Sequence, residues 1–386
     1  MASTADLQLV HPTQDEVTDI LHTNSQEWKG ALDLPAYLRR ESFLLEQDLT
    51  RSAGLTAWAL TTSEKPSDRK ILCSCESLRK RALVARNGSV SDTLCHGVAS
   101  VFCAPEHRGK GYPTEMIRRV TEALGTWQAD DQGKEVSFGI LYSDIGKKFY
   151  AKHGWAPFPS AHISLAPWTG SASSRAELPP CKPLQAEDLS KLCELDEAVM
   201  RQRLQRTEGV AVAIVPDLKT AKWHLAREQF VSQELYGKSP EVHGALVTLE
   251  SGKMVWCYWA KMWYNTDPQN PKGNSMHILR LATDNASYDE SDAASEEVAK
   301  QVKSTEMVSA VASLLAVAQT DASQWNMGEV EIWNPSSVTL AAARLLNPSA
   351  EVTHREKDSI ASLKWYGDSS EADKIKWLGN EKFGWC

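Results

Sequence analysis

Hydrophobic and polar positions along this chain switch between a period of two and a period near 3.6, and the switches predict a succession of strands and helices. A short apolar run at residues 7–10 is followed by helical spacing over 14–22 and again over 34–48, where Leu38, Phe43, Leu44 and Leu45 share much of one face. Strand patterns fill 54–62 and 71–83, with a turn-rich stretch between them. A third strand, apolar and β-branched, covers 95–103. A helix, a strand over 135–142 and a short helix ending before Gly154 complete this run.

Residues 164–183 interrupt the pattern with Pro-Trp-Thr-Gly-Ser-Ala-Ser-Ser and with Pro179-Pro180, a linker composition. Beyond them the pattern resumes with helices over 186–205 and 222–234, then a hairpin of 242–249 and 253–264 turning at Ser251-Gly252. A strand at 277–282, an acidic loop over 283–297, a long helix over 296–320, a strand at 329–333 and a helix at 338–346 follow. This order repeats that of the first half. The expected architecture is therefore a duplicated mixed α/β unit, with residues 1–168 as one domain, 169–184 as linker and 185–386 as the second.

One segment carries chemistry that the second half lacks: Val98-Ala-Ser-Val-Phe-Cys-Ala-Pro-Glu-His-Arg-Gly-Lys-Gly-Tyr-Pro-Thr-Glu-Met116. A buried strand ends at Pro105, and the chain turns through Arg108-Gly109-Lys110-Gly111 into a helix with Pro113 in its first turn, where a missing N–H is harmless. Met116, Ile117, Val120 and Leu124 fall on one face of that helix, with Glu115, Arg118 and Arg119 pointing away. Glycines let backbone N–H groups approach an anion, and the helix N-terminus adds about half a positive charge. Arg108 and Lys110 add full charges, so a pyrophosphate is the natural guest.

Arg108-Gly-Lys-Gly111-Tyr-Pro113 resembles the acetyl-CoA signature of the N-acetyltransferase superfamily related to histone acetylases, with Pro113 where glycine or alanine is usual. Ser143-Asp-Ile-Gly-Lys-Lys-Phe-Tyr-Ala-Lys-His-Gly-Trp155 resembles that superfamily's second element, with Asp144 and Lys147 in place of its asparagine and alanine. The resemblance implies an acetyltransferase fold with a splayed central sheet, followed here by a degenerate second copy. It implies that acetyl-CoA lies along Val101, Phe102 and Cys103, with its pyrophosphate at Arg108, Gly109, Lys110, Gly111, Tyr112 and Pro113 and with Asp144 and Lys147 adjoining. It makes Tyr150 the acid for the departing thiolate. The two-part, tryptophan-rich chain is also similar to fungal lysine N6-acetyltransferases, which implies free lysine as acceptor. A peptide lysine, a polyamine or xenobiotic amine, and a non-catalytic acyl-CoA-binding role are the alternatives.

An alkylamine with a pKa near 10.4 is neutral in only about one molecule in a thousand at pH 7.4, so such a reaction needs a proton acceptor. Glu76, on a strand flanking the acceptor side, is the first candidate; His96 and Glu106 are the others. Cys103 with His107 offers a nucleophile pair, second to direct attack by the amine. Trp28, Trp58 and Glu76 are expected to shape the acceptor pocket. Nine of the fourteen tryptophans follow residue 180, among them Trp256, Trp259 and Trp263, and they read first as core.

The formal charge of −8 excludes a broadly nucleic-acid-binding surface. The eight cysteines show no paired metal-ligand spacing beyond Cys73-x-Cys75, so no metal is expected. Gly-x-x-x-x-Gly-Lys-Ser/Thr is absent, which excludes the usual nucleoside triphosphatase loop. No leader-like or bilayer-length apolar stretch is visible, and the expected location is the cytoplasm.

Overall fold

Two mixed sheets carry the alternating segments in the computed structural model, which describes residues 7–63, 65–129, 135–170, 177–267, 269–286, 293–302 and 305–385. The first run of elements is β1 (Gln8–Val10), α1 (Gln14–Trp28), α2 (Leu34–Leu45), β2 (Leu55–Thr61), β3 (Ile71–Arg86), β4 (Ser89–Phe102), α3 (Tyr112–Leu124), β5 (Val136–Ser143), α4 (Lys148–Ala151), β6 (Ala156–Pro157) and β7 (Ala161–Leu165). The next is β8 (Lys182–Leu184), α5 (Leu189–Arg206), β9 (Val210–Ile214), α6 (Leu218–Tyr236), β10 (Gly244–Thr248), β11 (Met254–Met262) and β12 (Ser275–Thr283). It ends with α7 (Glu296–Val302), α8 (Glu306–Gln324), β13 (Glu329–Trp333), α9 (Ser337–Leu346), β14 (Thr353–His354), β15 (Ile360–Trp365) and β16 (Lys376–Leu378). Residues 171–176 of the expected linker and 287–292 of the acidic loop lie outside the described residues.

The first sheet runs β1-β2-β3-β4-β5-β15-β6, and the second runs β14-β7-β13-β12-β11-β10-β8. β4 and β5 are parallel and α3 crosses between them; β12 and β13 are parallel and α8 crosses between them. An antiparallel strand then flanks each parallel pair, β15 on β5 and β7 on β13. These flanking strands come from opposite halves of the sequence. The molecule is thus a duplicated α/β unit whose copies have exchanged one strand, and sheet membership crosses the boundaries expected at 168 and 185. The far end of β3 also pairs with β9, from Ala82↔Ile214 to Arg86↔Val210, and β9 in turn pairs with β16.

Local chemistry explains the element limits. Thr13 accepts from the Glu16 N–H while Glu16 accepts from the Thr13 N–H, a reciprocal cap that starts α1. The long helix expected over 296–320 is divided because Thr305 caps a new one, its hydroxyl accepting from the Val308 N–H at 3.3 Å. On α3 the four apolar positions Met116, Ile117, Val120 and Leu124 are fully buried against the first sheet. Each contributes about 2 kcal/mol of apolar burial.

Trp256 and Trp259 are fully buried in the second lobe, as core residues. The Trp259 indole donates to Asp321 at 2.8 Å, and Lys261 bridges Asp321 and Glu228 at 2.8 and 3.1 Å. This satisfied polar knot fixes α6 and α8 onto β11. Among the described residues no helix is long and apolar enough to cross a membrane.

Candidate active site

The parallel pairing of β4 with β5 stops at Val98↔Leu141, yet β4 continues to Phe102, so the two strands splay. On its other edge β4 pairs Ala99 with Glu76 and Phe102 with Ser74, which leaves Ser100 and Val101 opposite Cys75 alone. Ser100 adopts φ 52°, the left-handed region. This is a β-bulge: it takes backbone groups out of the ladder at the mouth of the splay.

At the end of the splay, Gly109 and Gly111 have φ 73° and 82°, and a Cβ at either would meet nothing within 4 Å. Their backbone angles, rather than crowding, therefore require glycine. Gly111 caps α3 with no side-chain partner. No backbone carbonyl among the described residues takes the N–H groups of Gly109, Lys110 or Gly111. Arg108 braces the strand end, its Nε donating to the Cys103 carbonyl at 3.0 Å, and Lys110 Nζ donates to the Glu106 carbonyl at 2.7 Å. Tyr112 and Pro113 open the helix. Free N–H groups, an uncapped helix start and open space suit a diphosphate.

Tyr150, on α4, is buried among Cys73, Cys75 and the α3 face of the sheet. Burial pushes its phenol well above the usual range, so it holds its proton at neutral pH. The Cys73 thiol donates to Cys103 and holds that sulfur below its ordinary value. His107 lies edge-on to Tyr112, with ring centroids 6.2 Å apart.

Glu76 occupies the opposite face of the first sheet. Burial raises its carboxyl to about 7, and the neighbouring Glu41 carboxylate adds to the shift. The Ser100 hydroxyl at the bulge donates to it and opposes the rise. Glu41 itself accepts from the Arg40 Nε at 2.8 Å. A carboxyl poised near neutrality beside a splayed strand can take a proton from an amine.

The remaining sequence-predicted residues distribute unevenly around this centre. His96 faces the α3 side, because it pairs with Arg79 out of register with Glu76, and its Nε2 lies 2.9 Å from the Trp127 carbonyl. Burial lowers it to about 4, which makes it a neutral core histidine on the far side of the sheet from Glu76. Trp58 is buried on that same side, its indole donating to Ser77 at 2.9 Å. Trp28 does reach the splay, edge-on to Phe102 at 5.9 Å. Asp144 accepts from the Ser359 N–H at 2.7 Å, and Lys147 pairs with Glu356 at 2.7 Å. Both residues tether the segment ahead of β15 instead of standing free. Glu106 is exposed, held to the turn through its carbonyl.

Sequence reasoning missed Ser100, Glu41 and the segment Lys382-Phe-Gly-Trp385. Trp385 packs, as Ala99 does, against the apolar cluster that contains Leu78, on the Glu76 face. Gly384 fits against Tyr142, since a Cβ there would come within 2.6 Å of its hydroxyl. No periodicity marks that segment, and the Gly-Trp pair is its one cue.

The family described as LYC1 GNAT-like C-terminal domain matches residues 162–386, more than half of the chain and beginning within β7. The chain belongs to this LYC1-like family. Among its relatives, a "Lysine acetyltransferase" of Yarrowia lipolytica is 24% identical over 272 residues, covering 60% of this chain and 68% of that one. The uncharacterized Saccharomyces cerevisiae protein YGR111W is 20% identical over 402 residues, covering 94% and 93%. In fold, the LYC1-like chain is similar to GCN5-related N-acetyltransferases of Kribbella flavida (16% identity, TM-score 0.51, 93% of this chain and 71% of that one) and Anabaena variabilis (14%, 0.51, 94% and 73%). The family description and the name of the Yarrowia lipolytica relative indicate an N-acetyltransferase, the fold is the one that GCN5-related N-acetyltransferases have, and enzymes of that class use acetyl-CoA.

Proposed function

We propose that this enzyme acetylates the side-chain amine of free lysine. The observation that carries the reading is Glu76, a carboxyl raised to about 7, beside the bulge where β4 and β5 splay. The name of the Yarrowia lipolytica relative supports lysine as the acceptor. Acetyl-CoA, when bound, supplies the activated acyl carbon as a thioester.

The chain's own residues do the rest. Gly109, Lys110 and Gly111 hold the diphosphate by N–H groups, with Arg108 and Lys110 adding charge. The unpaired backbone of Ser100 and Val101, with Phe102 and Cys103 beyond, orients the acyl arm in the splay. Glu76 takes the proton that the incoming ammonium must lose, a step worth about 4 kcal/mol for a lysine amine at pH 7.4. Tyr150 holds a proton for the departing sulfur. The second lobe serves as the wall of the acceptor pocket, through Trp385.

The test is incubation of the purified protein with acetyl-CoA and lysine, ornithine, polyamines, aryl amines, aminoglycosides or a histone-tail peptide, following thiol release and product mass. Side-chain-acetylated lysine is the expected product. Thiol release with another amine alone overturns the acceptor, and release with none overturns the reaction.

A further inference from the structure

Two basic side chains of the second half, Lys382 and Arg227, gather around one indole beside the Glu76 face. Lys382 is 3% exposed, and its ammonium lies 4.3 Å from the Trp333 ring centroid and 4.0 Å from that of Trp385. The Arg227 guanidinium lies 5.9 Å from the same Trp385 ring. Neither side chain makes a hydrogen bond or ion pair among the described residues; burial pulls the Lys382 amine down to about 7, which the Glu331 carboxylate opposes, and the Arg227 guanidinium down to about 10. Aromatic faces stabilise an ammonium and a guanidinium while leaving their N–H donors unused.

The cations are rigidly presented. Glu381, next to Lys382, accepts from the Leu281 N–H at 3.0 Å and pairs with Arg280, which is itself locked to Asp196 at 2.7 Å. Phe383 is fully buried, and Gly384 sits against Tyr142. Trp385 and Ala99, the cross-strand partner of Glu76, pack against the same apolar cluster, which brings the two basic groups to the Glu76 side of the sheet. The Tyr37 phenol, raised chiefly by burial and then by Glu41, also feels the Glu76 carboxylate and, in the opposite sense, Arg227.

Resting on the acetyl-acceptor reading, we propose that Arg227 and Lys382 form a carboxylate clamp that binds the α-carboxylate of an amino-acid acceptor and holds its far amine at Glu76. The pocket then has an anionic end for the amine and a cationic end for the acid, with the Trp385 ring alongside the alkyl chain. This sign pattern selects a free amino acid over a diamine, and over a lysine whose carboxyl is tied up in a peptide bond. Burial of Lys382 is what makes the site selective, because an unpaired carboxylate-binding group penalises any ligand that leaves it empty.

The experiment compares lysine, lysinamide and 1,5-diaminopentane as acceptors for the full-length protein and for Lys382→Met and Arg227→Gln. It adds calorimetric binding of lysine, which needs no turnover, and of acetyl-CoA as a check of folding. The wild type should favour lysine over both analogues, and each variant should lose about tenfold to a hundredfold in kcat/KM for lysine, mostly through KM. Diamine acetylation and acetyl-CoA affinity should stay unchanged. Equal use of lysine and 1,5-diaminopentane by the wild type overturns the clamp while leaving the acetyltransfer reading intact. Equal losses for all acceptors assign the pair to structure and overturn it too. If no amine is acetylated, the underlying reading fails, and weaker lysine binding by Lys382→Met still supports the clamp, whereas unchanged binding removes it.

Discussion

Glu76→Gln should inactivate the enzyme and stabilise it. The carboxyl has an ordinary value of 4.5 and is raised to about 7 in the folded chain, chiefly by burial and then by Glu41. A raised carboxyl means that the folded state binds the proton more tightly than the unfolded state does. Stability therefore falls as pH rises through the window from 4.5 to about 7, and stays reduced above it. At about 1.4 kcal/mol per pH unit, the ionised carboxylate costs up to roughly 3 kcal/mol of stability at pH 8. Glutamine keeps the shape and can still accept from Ser100, but carries no charge to desolvate or to oppose Glu41. The melting temperature of Glu76→Gln should thus exceed that of the wild type at pH 8 by a few degrees, with the gap closing near pH 4.5. Over the same range, wild-type kcat/KM should rise with pH through about 7 as the base ionises. The variant should lose about 10²-fold in rate and that inflection together. Parallel melting curves and pH–rate profiles check both halves. A variant that melts lower than the wild type at pH 8, or keeps the inflection, would refute the assignment of a buried, ionisable base.

Tyr150→Phe should lower kcat by about 10²-fold while the acetyl-CoA dissociation constant, measured by calorimetry, stays as in the wild type. Gly111→Ala places a Cβ on a residue at φ 82°; the strain, about 1–2 kcal/mol, should shift the turn and raise the KM for acetyl-CoA by about five- to thirtyfold, read by steady-state kinetics. Arg280→Met strands the buried Asp196 and the Glu381 carboxylate and should cost about 3–5 kcal/mol in urea unfolding. A fragment ending at residue 168 lacks β15, β9 and β16, leaving β5 with an open edge. It should show no cooperative thermal transition by circular dichroism.

The sequence was most legible where structure is local. The Arg108–Pro113 turn, the apolar stripe of α3 and the strands β2, β3 and β5 declare themselves through spacing, whereas β4 begins at Ser89, six residues before the expected 95, inside a stretch read as polar loop. The strands that knit the halves were not visible. β9, Val-Ala-Val-Ala-Ile, is an unbroken apolar run without alternation, because both its faces are buried, and β15 pairs with a strand more than two hundred residues earlier. No local signal encodes such a partner. The same holds for the site. Glu76 could be found because it flanks the expected splay, whereas its surroundings, Ser100 at a positive φ and Trp385 near the chain's end, depend on the register of β3 and on packing between lobes. His96 was a candidate base and Trp58 a candidate pocket wall, but the pairing of His96 with Arg79 and of Trp58 with Cys75 puts both on the face opposite Glu76, which spacing along one strand cannot decide.

The strand exchange also dictates when this molecule can become an enzyme. As the chain leaves the ribosome, the phosphate-binding turn and four strands of its sheet emerge early, but β5 must wait for β15, more than two hundred residues later in the chain. Until then that edge is a row of unpaired backbone groups, the kind of surface on which nascent chains stick to one another. The early second-sheet strand β7 likewise waits for β13. Each lobe is finished by the other, so maturation is one late event, and a chain released early yields neither a cofactor-binding half nor an acceptor-binding half.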